Sequence, residues 1–433
     1  MKKTQGWKIY LAVLLAVLIP VGALAQTTTV TVTRYHELLN AAQSSYITKI
    51  IVSGKIEVQA TIKIERDIEI EGKDETATLD GGGSVQILQV IGGDLTVSGV
   101  TFTGGKADGK DVEEKRGGAI YVAAKDGDGG NATITNCTFT DNTAEWNGGA
   151  VNVEATGVIE GSTFEGNEAN RGGGVFIVGG GTITDSTFEG NEASQDGGGA
   201  YIHGEGTITD STFEENEAKY GGGVYIIWNG GTITDSIFTD NEAHASGGGA
   251  YIDGEGTITG STFENNTAET SGGGIYVPGG KNSSLTIENT DFYDNTAPDG
   301  SAIHLKGTGE VIIQGTNYFE GNENGNQGYG IEAANDLVYD DGEIIKGRRP
   351  EPDPLPTAKA GPVEAGVNNA SSRYVAICRL TVYRDVEASE KAGTLPSGTE
   401  VTVTHFSSGM AYIAGQGYVE MTGLARVQTQ LVP

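Results

Sequence analysis

Residues 187–213 read Thr-Phe-Glu-Gly-Asn-Glu-Ala-Ser-Gln-Asp-Gly-Gly-Gly-Ala-Tyr-Ile-His-Gly-Glu-Gly-Thr-Ile-Thr-Asp-Ser-Thr-Phe, and the unit that opens at Phe188 opens again at Phe213. Working outward, a phenylalanine with an asparagine three places later recurs at Phe139/Asn142, Phe164/Asn167, Phe188/Asn191, Phe213/Asn216, Phe238/Asn241, Phe263/Asn266, Phe292/Asn295 and Phe319/Asn322. The interval is roughly 25 residues, the length of one coil of a β-solenoid. After a glycine-rich phrase, one column reads Ile120, Val151, Val175, Ala200, Val224, Ala250, Ile275, Ile303. Two places on, a second reads Val122, Val153, Ile177, Ile202, Ile226, Ile252, Val277, Leu305. Both are apolar throughout, so the period is two and the segment is a strand with these residues inward. A further strand centres on Ile134, Ile159, Ile183, Ile208, Ile233, Ile258 and Ile287.

The turn chemistry agrees with this. Glycines before the first strand allow positive φ and close approach at a corner. The asparagines Asn142, Asn167, Asn191, Asn216, Asn241, Asn266 and Asn295 fall at a bend, where an amide both donates and accepts along the stacking axis. The sequence therefore predicts an all-β chain over residues 26–345, a right-handed parallel β-helix. A short helix carrying Leu38, Leu39 and Ala42 on one face would plug its open end.

The rest of the chain sets the context. Lys2, Lys3 and Lys8, the apolar run Ile9–Ile19 and Ala23-Leu24-Ala25 read as a signal peptide over residues 1–25, cleaved after Ala25. The mature protein is expected to be secreted or at a cell surface, with no transmembrane segment. A formal net charge of −31 argues against nucleic acid and anionic membrane as partners. Cys137 and Cys378 read as unpaired thiols. Pro350, Pro352, Pro354, Pro356 and Pro362 make residues 346–372 a stiff linker, followed by a small β module over residues 373–433.

The paired phrases Gly-Gly-Ala-Ile and Phe-x-x-Asn resemble the repeats of the polymorphic outer membrane protein family of bacterial adhesins. The stretch from Leu38 through Thr76–Gly82 to Val97-Ser98-Gly99-Val100-Thr101-Phe102 resembles the opening coils of pectate-lyase-like β-helix proteins. Adhesins of that family end in an outer-membrane barrel, and no stretch after Asn335 reads as one. Leu380-Thr381-Val382-Tyr383-Arg384, Gly393–Gly398, Val401-Thr402-Val403 and Gly417-Tyr418-Val419 resemble a bacterial Src-homology-3-like domain, which implies a β-barrel and a cell-wall or protein ligand.

Several columns bear on chemistry. The pectate-lyase resemblance implies calcium-binding aspartates with an Arg or Lys base. Asp185, Asp210 and Asp235 line up, but their column also contains Asn136, Gly161, Gly260 and Asn289, the residue types of a left-handed turn. Between Ala132 and Asn295 the basic side chains are Arg171, Lys219 and Lys281, too few for an anionic polysaccharide. His203 and His304 match no glycosidase pattern. Glu168, Glu192, Glu217 and Glu242 form an acidic edge that would collect calcium only loosely; no specific metal site and no cofactor is read. Threonine pairs such as Thr182/Thr184 and Thr207/Thr209 resemble the ice-binding face of some antifreeze proteins. Finally Tyr121, Phe176, Tyr201, Tyr225, Tyr251 and Tyr276 lie between the two inward columns. Alternation puts them outside, where an exposed aromatic stripe would offer flat apolar area to a carbohydrate or a cell-surface protein. The expectation is a non-catalytic, adhesin-like binding protein, with Tyr201, Tyr225, Tyr251 and Tyr276 as its main contacts. A polysaccharide lyase or glycoside hydrolase is the alternative, and an ice-binding protein a remote one.

Overall fold

Alternating apolar side chains two residues apart bury one face of each strand, and parallel stacking of the repeats joins those faces into one core. The computed structural model describes residues 28–322, apart from Asp128, 280–282 and 308–309, and beyond 322 only the backbone of a series of strands. The stretch expected to be a signal peptide lies outside the described residues, as does the proline-rich stretch 347–371. Among the described residues no helix is long and apolar enough to cross a membrane.

Each coil contributes three main strands. In the first ladder Ile62–Ile64, Leu88–Ile91, Ile120–Ala123, Val151–Val153 and Val175–Ile177 pair in parallel, and the ladder continues to Ile303–Leu305 and Ile331–Ala333. A second runs from Thr29–Val32 through Ala132–Thr135 and Gly157–Glu160 to Leu337–Tyr339. A third, from Lys55–Glu57 to Glu343–Lys346, carries the phenylalanines, with Phe164 opposite Phe188 and Phe188 opposite Phe213. Separately, Ser372–Ala376, Leu380–Tyr383, Lys391–Leu395, Glu400–Ser407, Met410–Ile413, Gly417–Glu420 and Leu424–Arg426 form a seven-stranded antiparallel sheet.

The N-terminal end is closed by a helix, Tyr35–Gln43, that buries Leu38, Ala41 and Ala42. Leu39 packs against the core as well. Arg66 holds the helix C-terminus, its guanidinium donating to the carbonyls of Ala42 (2.8 Å), Ala41 (3.1 Å) and Ile47 (2.8 Å). A cation there complements the negative end of the helix dipole.

Inside the solenoid, identical residues touch identical residues. From Phe102 to Phe319 the rings stack with centroids between 4.6 Å (Phe139–Phe164) and 5.3 Å (Phe263–Phe292) apart. Each such pair adds about 0.5–1.5 kcal/mol beyond burial. At the bend beside them, Asn191 Nδ2 donates to the Phe164 carbonyl (2.9 Å) and to Asn216 Oδ1 (2.9 Å), which also accepts from the Asn191 N–H (3.1 Å). The pattern repeats from Asn142 to Asn322. A second ladder of buried hydroxyls, Ser162, Ser186, Ser211, Ser236 and Ser261, accepts from the backbone of the preceding rung. Cys137 stands first in that column, its thiol against the Thr135 carbonyl, free and pushed up to about 11 by burial. At the glycine corner, Gly197 takes φ +69°, and a Cβ there would meet the Ala200 oxygen at 2.4 Å.

The asparagine ladder makes a sharp test. Asn216→Asp keeps the acceptor but loses the donor that faces the Phe188 carbonyl. It should therefore lose about 2–4 kcal/mol in urea denaturation, against about 1–3 kcal/mol for Asn216→Ala. Because burial raises the new carboxyl in the folded state, the excess should shrink as pH falls to about 4 and the side chain regains a proton. An Asp variant as stable as wild type at pH 7 would contradict the bonding scheme.

Candidate binding face

Three in-register columns line the outside of the first ladder. The floor is the aromatic column, from Tyr121 past Asn152 and Phe176 to Tyr201, Tyr225, Tyr251, Tyr276 and His304. Where the strands enter stands Arg116, then Asn147, Arg171, Asp196, Tyr220 and Ser246. Where they leave, alternation puts Glu154, Val178, His203, Ile227 and Asp253 on the same side as the rings.

The aromatic column does lie outside the core cluster, but it is not an exposed stripe. Tyr121 is 3 %, Tyr201 7 %, Tyr225 9 % and Tyr276 8 % exposed; Phe176 is likewise buried, and only Tyr251 is half-buried. The cause is stacking. Phe176–Tyr201 centroids are 4.6 Å apart, Tyr201–Tyr225 5.2 Å and Tyr225–Tyr251 4.3 Å, so each ring spends its flat faces on its neighbours. What remains for solvent is edges and hydroxyls. Burial raises the phenols, Tyr225 and Tyr121 most and Tyr251 to about 12, so they are neutral hydrogen-bonding groups at ordinary pH.

Neighbouring side chains complete the covering. Arg116 bridges across the floor to Glu154, with Trp146 against the guanidinium, and Tyr121 and Asn152 lie beneath. Asn152 breaks the aromatic series. It is fully buried, and neither end of its amide finds a hydrogen-bond partner among the described residues. Asn152→Phe would put a ring into the slot between Tyr121 and Phe176, continuing the aromatic column, and remove an unmet polar group, so it should stabilise the chain by about 1–2 kcal/mol. A fall in the urea midpoint would show that the slot rejects a ring.

The coil between Asn216 and Asn241 departs from the repeat on both sides of Tyr225. Two residues separate Ala218 from Gly221, where the coils on either side have three, and the pairing register shifts there. Tyr220 is thereby placed edge-on against Tyr251 (5.9 Å, 76°). Four residues separate Ile226 from Gly231, where the neighbours have three, and the extra residue forms a bulge at Trp228, opposite Gly204. Trp228 takes φ +96°, strain of about 1–3 kcal/mol for a bulky side chain. Its indole is 71 % exposed, with the His203 imidazole edge-on at 5.2 Å.

On the entry side the charged group is Asp196, bound to Arg171 Nε at 3.0 Å. Burial holds its carboxyl above the usual range, with Arg171 opposing. The aspartate column of the second corner is set by turn geometry. Asn136, Asp185, Asp210, Asp235 and Asn289 all have φ between 46° and 51°, and Gly161 and Gly260 share the left-handed conformation. Among the described residues no group of three or more His, Cys, Asp or Glu is arranged to hold a metal ion.

The glutamate edge has its own counterion. Glu168, Glu192, Glu217 and Glu242 stack in register, where like charges about 4.8 Å apart repel by about 0.8–0.9 kcal/mol in water. His244 Nε2 lies 2.6 Å from Glu217, with Glu269 and Glu242 at 3.5 and 3.8 Å from Nδ1. The Glu217 hydrogen bond raises the His244 pKa. A histidine that holds its proton more tightly when folded stabilises the native state fully below its unfolded value, about 6.5, and loses that effect as pH rises through the folded value. His244→Gln should thus cost about 0.2–1 kcal/mol at pH 5.5 and nothing at pH 9. Equal losses at both pH values would exclude the ionic role.

Stacked three-sided coils with every main pairing parallel define a β-solenoid. The chain belongs to the right-handed β-helix family, whose right handed beta helix region matches residues 78–238 and 222–349. A solved structure of an alginate lyase in complex with G6 is similar at 14% identity and a TM-score of 0.37, covering 73% of this chain and 84% of its own. No curated protein matches the sequence.

Neither the Asp196–Arg171 pair nor the Trp228–His203 contact was singled out by the sequence reading. The one available signal was length: the Tyr220–Trp228 coil is a residue short before its strand and a residue long after it.

Proposed function

We propose that the protein is a secreted or cell-surface carbohydrate-binding rod whose binding face is the outside of the first ladder. The observation that carries this reading is the cluster around Tyr225. Tyrosine hydroxyl edges from three coils lie between an ion pair of half-buried Asp196 with exposed Arg171 and an exposed Trp228, so polar groups and an exposed aromatic ring converge on a rigid sheet. Rigidity favours this use, because the β-helix orders the site before any ligand arrives. The signal peptide, the adhesin-like repeats and a Src-homology-3-like C-terminal module accord with display outside the cell. In this reading the module is the tether to the wall or to a partner.

A polysaccharide lyase or hydrolase is the second reading. Asp196 favours it, since a carboxyl held above the usual range beside neutral phenols is suited to proton transfer.

Tyr201→Phe, Tyr225→Phe and Tyr251→Phe together keep the stack and remove the hydroxyls. On a glycan array this triple variant should lose about tenfold in affinity for the retained glycan, about 1.4 kcal/mol, with its melting temperature little changed. Unchanged retention would move the site away from this face. New reducing or unsaturated ends in the bound glycan, abolished by Asp196→Asn, would favour the enzyme.

A further inference from the structure

Trp228 is the side chain on this face with its flat surface free, and the chain bends out of its repeat to present it. From these two facts we infer that the Trp228–His203 edge is a stacking subsite for an uncharged pyranose, resting on the carbohydrate-binding reading above and specifying its ligand class. The indole is 71 % exposed, whereas the floor rings are closed by their neighbours. A pyranose whose hydroxyls are equatorial carries a matching apolar face of axial hydrogens. Val178 and Ile227, both half-buried, continue the apolar surface toward the tyrosine ladder. His203, held edge-on to the indole, and Asn229, exposed beside it, offer hydrogen bonds to ring hydroxyls.

Charge sets the class. Glu205 precedes the bulge by one coil, and Asp253 and Glu255 follow it by one, with the Gly230 N–H donating to the Asp253 carbonyl. From Gly172 to Gly280 the chain has no arginine and one lysine, Lys219, and that lies on the opposite side of the ladder over Tyr220. A uronate at Trp228 would therefore meet carboxylates with no lysine or arginine beside it, while a neutral sugar carries no such penalty. The backbone supports a ligand role for the indole. A tryptophan at φ +96° is a conformation that glycine would adopt without strain, so the bulky side chain is held there against the local preference.

The test uses the full chain, with a Trp7→Phe, Trp146→Phe background so that Trp228 alone reports by fluorescence. Neutral oligosaccharides (gluco-, manno- and xylo-configured) are titrated against oligouronates of the same length. At least one neutral series should shift the Trp228 emission, and the oligouronates should not. In the native-tryptophan chain, Trp228→Gly should weaken neutral-sugar binding at least tenfold by calorimetry while raising the melting temperature, because it relieves the backbone. Trp228→Tyr should retain part of the affinity. Neutral binding unaffected by Trp228→Gly would overturn the subsite but leave the carbohydrate reading standing. Oligouronate binding at Trp228 would overturn the charge argument, and with it the inference. Failure to bind any glycan of either charge would remove both.

Discussion

Every part of this molecule depends on the same constraint, that like residues sit over like residues at the spacing of neighbouring β-strands. That spacing, about 4.8 Å, is close to the separation at which two aromatic rings stack and within the reach of an amide bonding to the amide above it. A phenylalanine column and an asparagine column are therefore self-consistent in a way that alternating residues would not be. Each Asn satisfies the amide of its neighbour and a carbonyl from the rung behind, in a place where an unmet polar group would cost heavily. The serine ladder does the same at the next corner. Cys137 stands in it without disturbing it because a thiol is nearly the right size.

The constraint also limits what the surface can do. A ring that stacks on the rung before and the rung after has no face left for a ligand, which is why the outer tyrosines behave as a packed layer with polar edges. New surface chemistry in a solenoid has to come from a break in the repeat. Here the coil that carries Tyr225 breaks the repeat twice, and its two irregularities act in opposite senses on either side of that residue. The short turn delivers Tyr220 inward against Tyr251; the long one pushes Trp228 outward. The strain at Trp228 is small beside the cooperative stability of the coils around it, which is how a regular scaffold tolerates a local departure.

Electrostatics follow the same logic. Stacking turns a single Glu in the repeat into a column of repelling charges, moderated where His244 stands among Glu217, Glu242 and Glu269. Such a surface keeps a long, edge-bearing rod hydrated and discourages the association that exposed strands invite. It also narrows the ligands the rod can accept, since attraction to a polyanion would have to overcome the field of the whole chain.

By itself the sequence determined the coil length, the parallel stacking, the inward columns and the capping helix, because each depends on a pattern that repeats and each repeat is an independent reading of the same environment. It also identified Asn136, Asp185 and Asp210 as turn residues, since only a left-handed backbone accommodates Asn, Asp and Gly alike. What only the tertiary structure decided was exposure. Alternation says which side of a strand a tyrosine leaves from, but not that rings one rung apart close on each other, or that Arg116 reaches across to Glu154 above them. The pairing of Asp196 with Arg171, and of Trp228 with His203, joins residues a coil apart through a turn whose length varies. Periodicity carries no information about the places where it fails, and there the geometry of the chain has the last word.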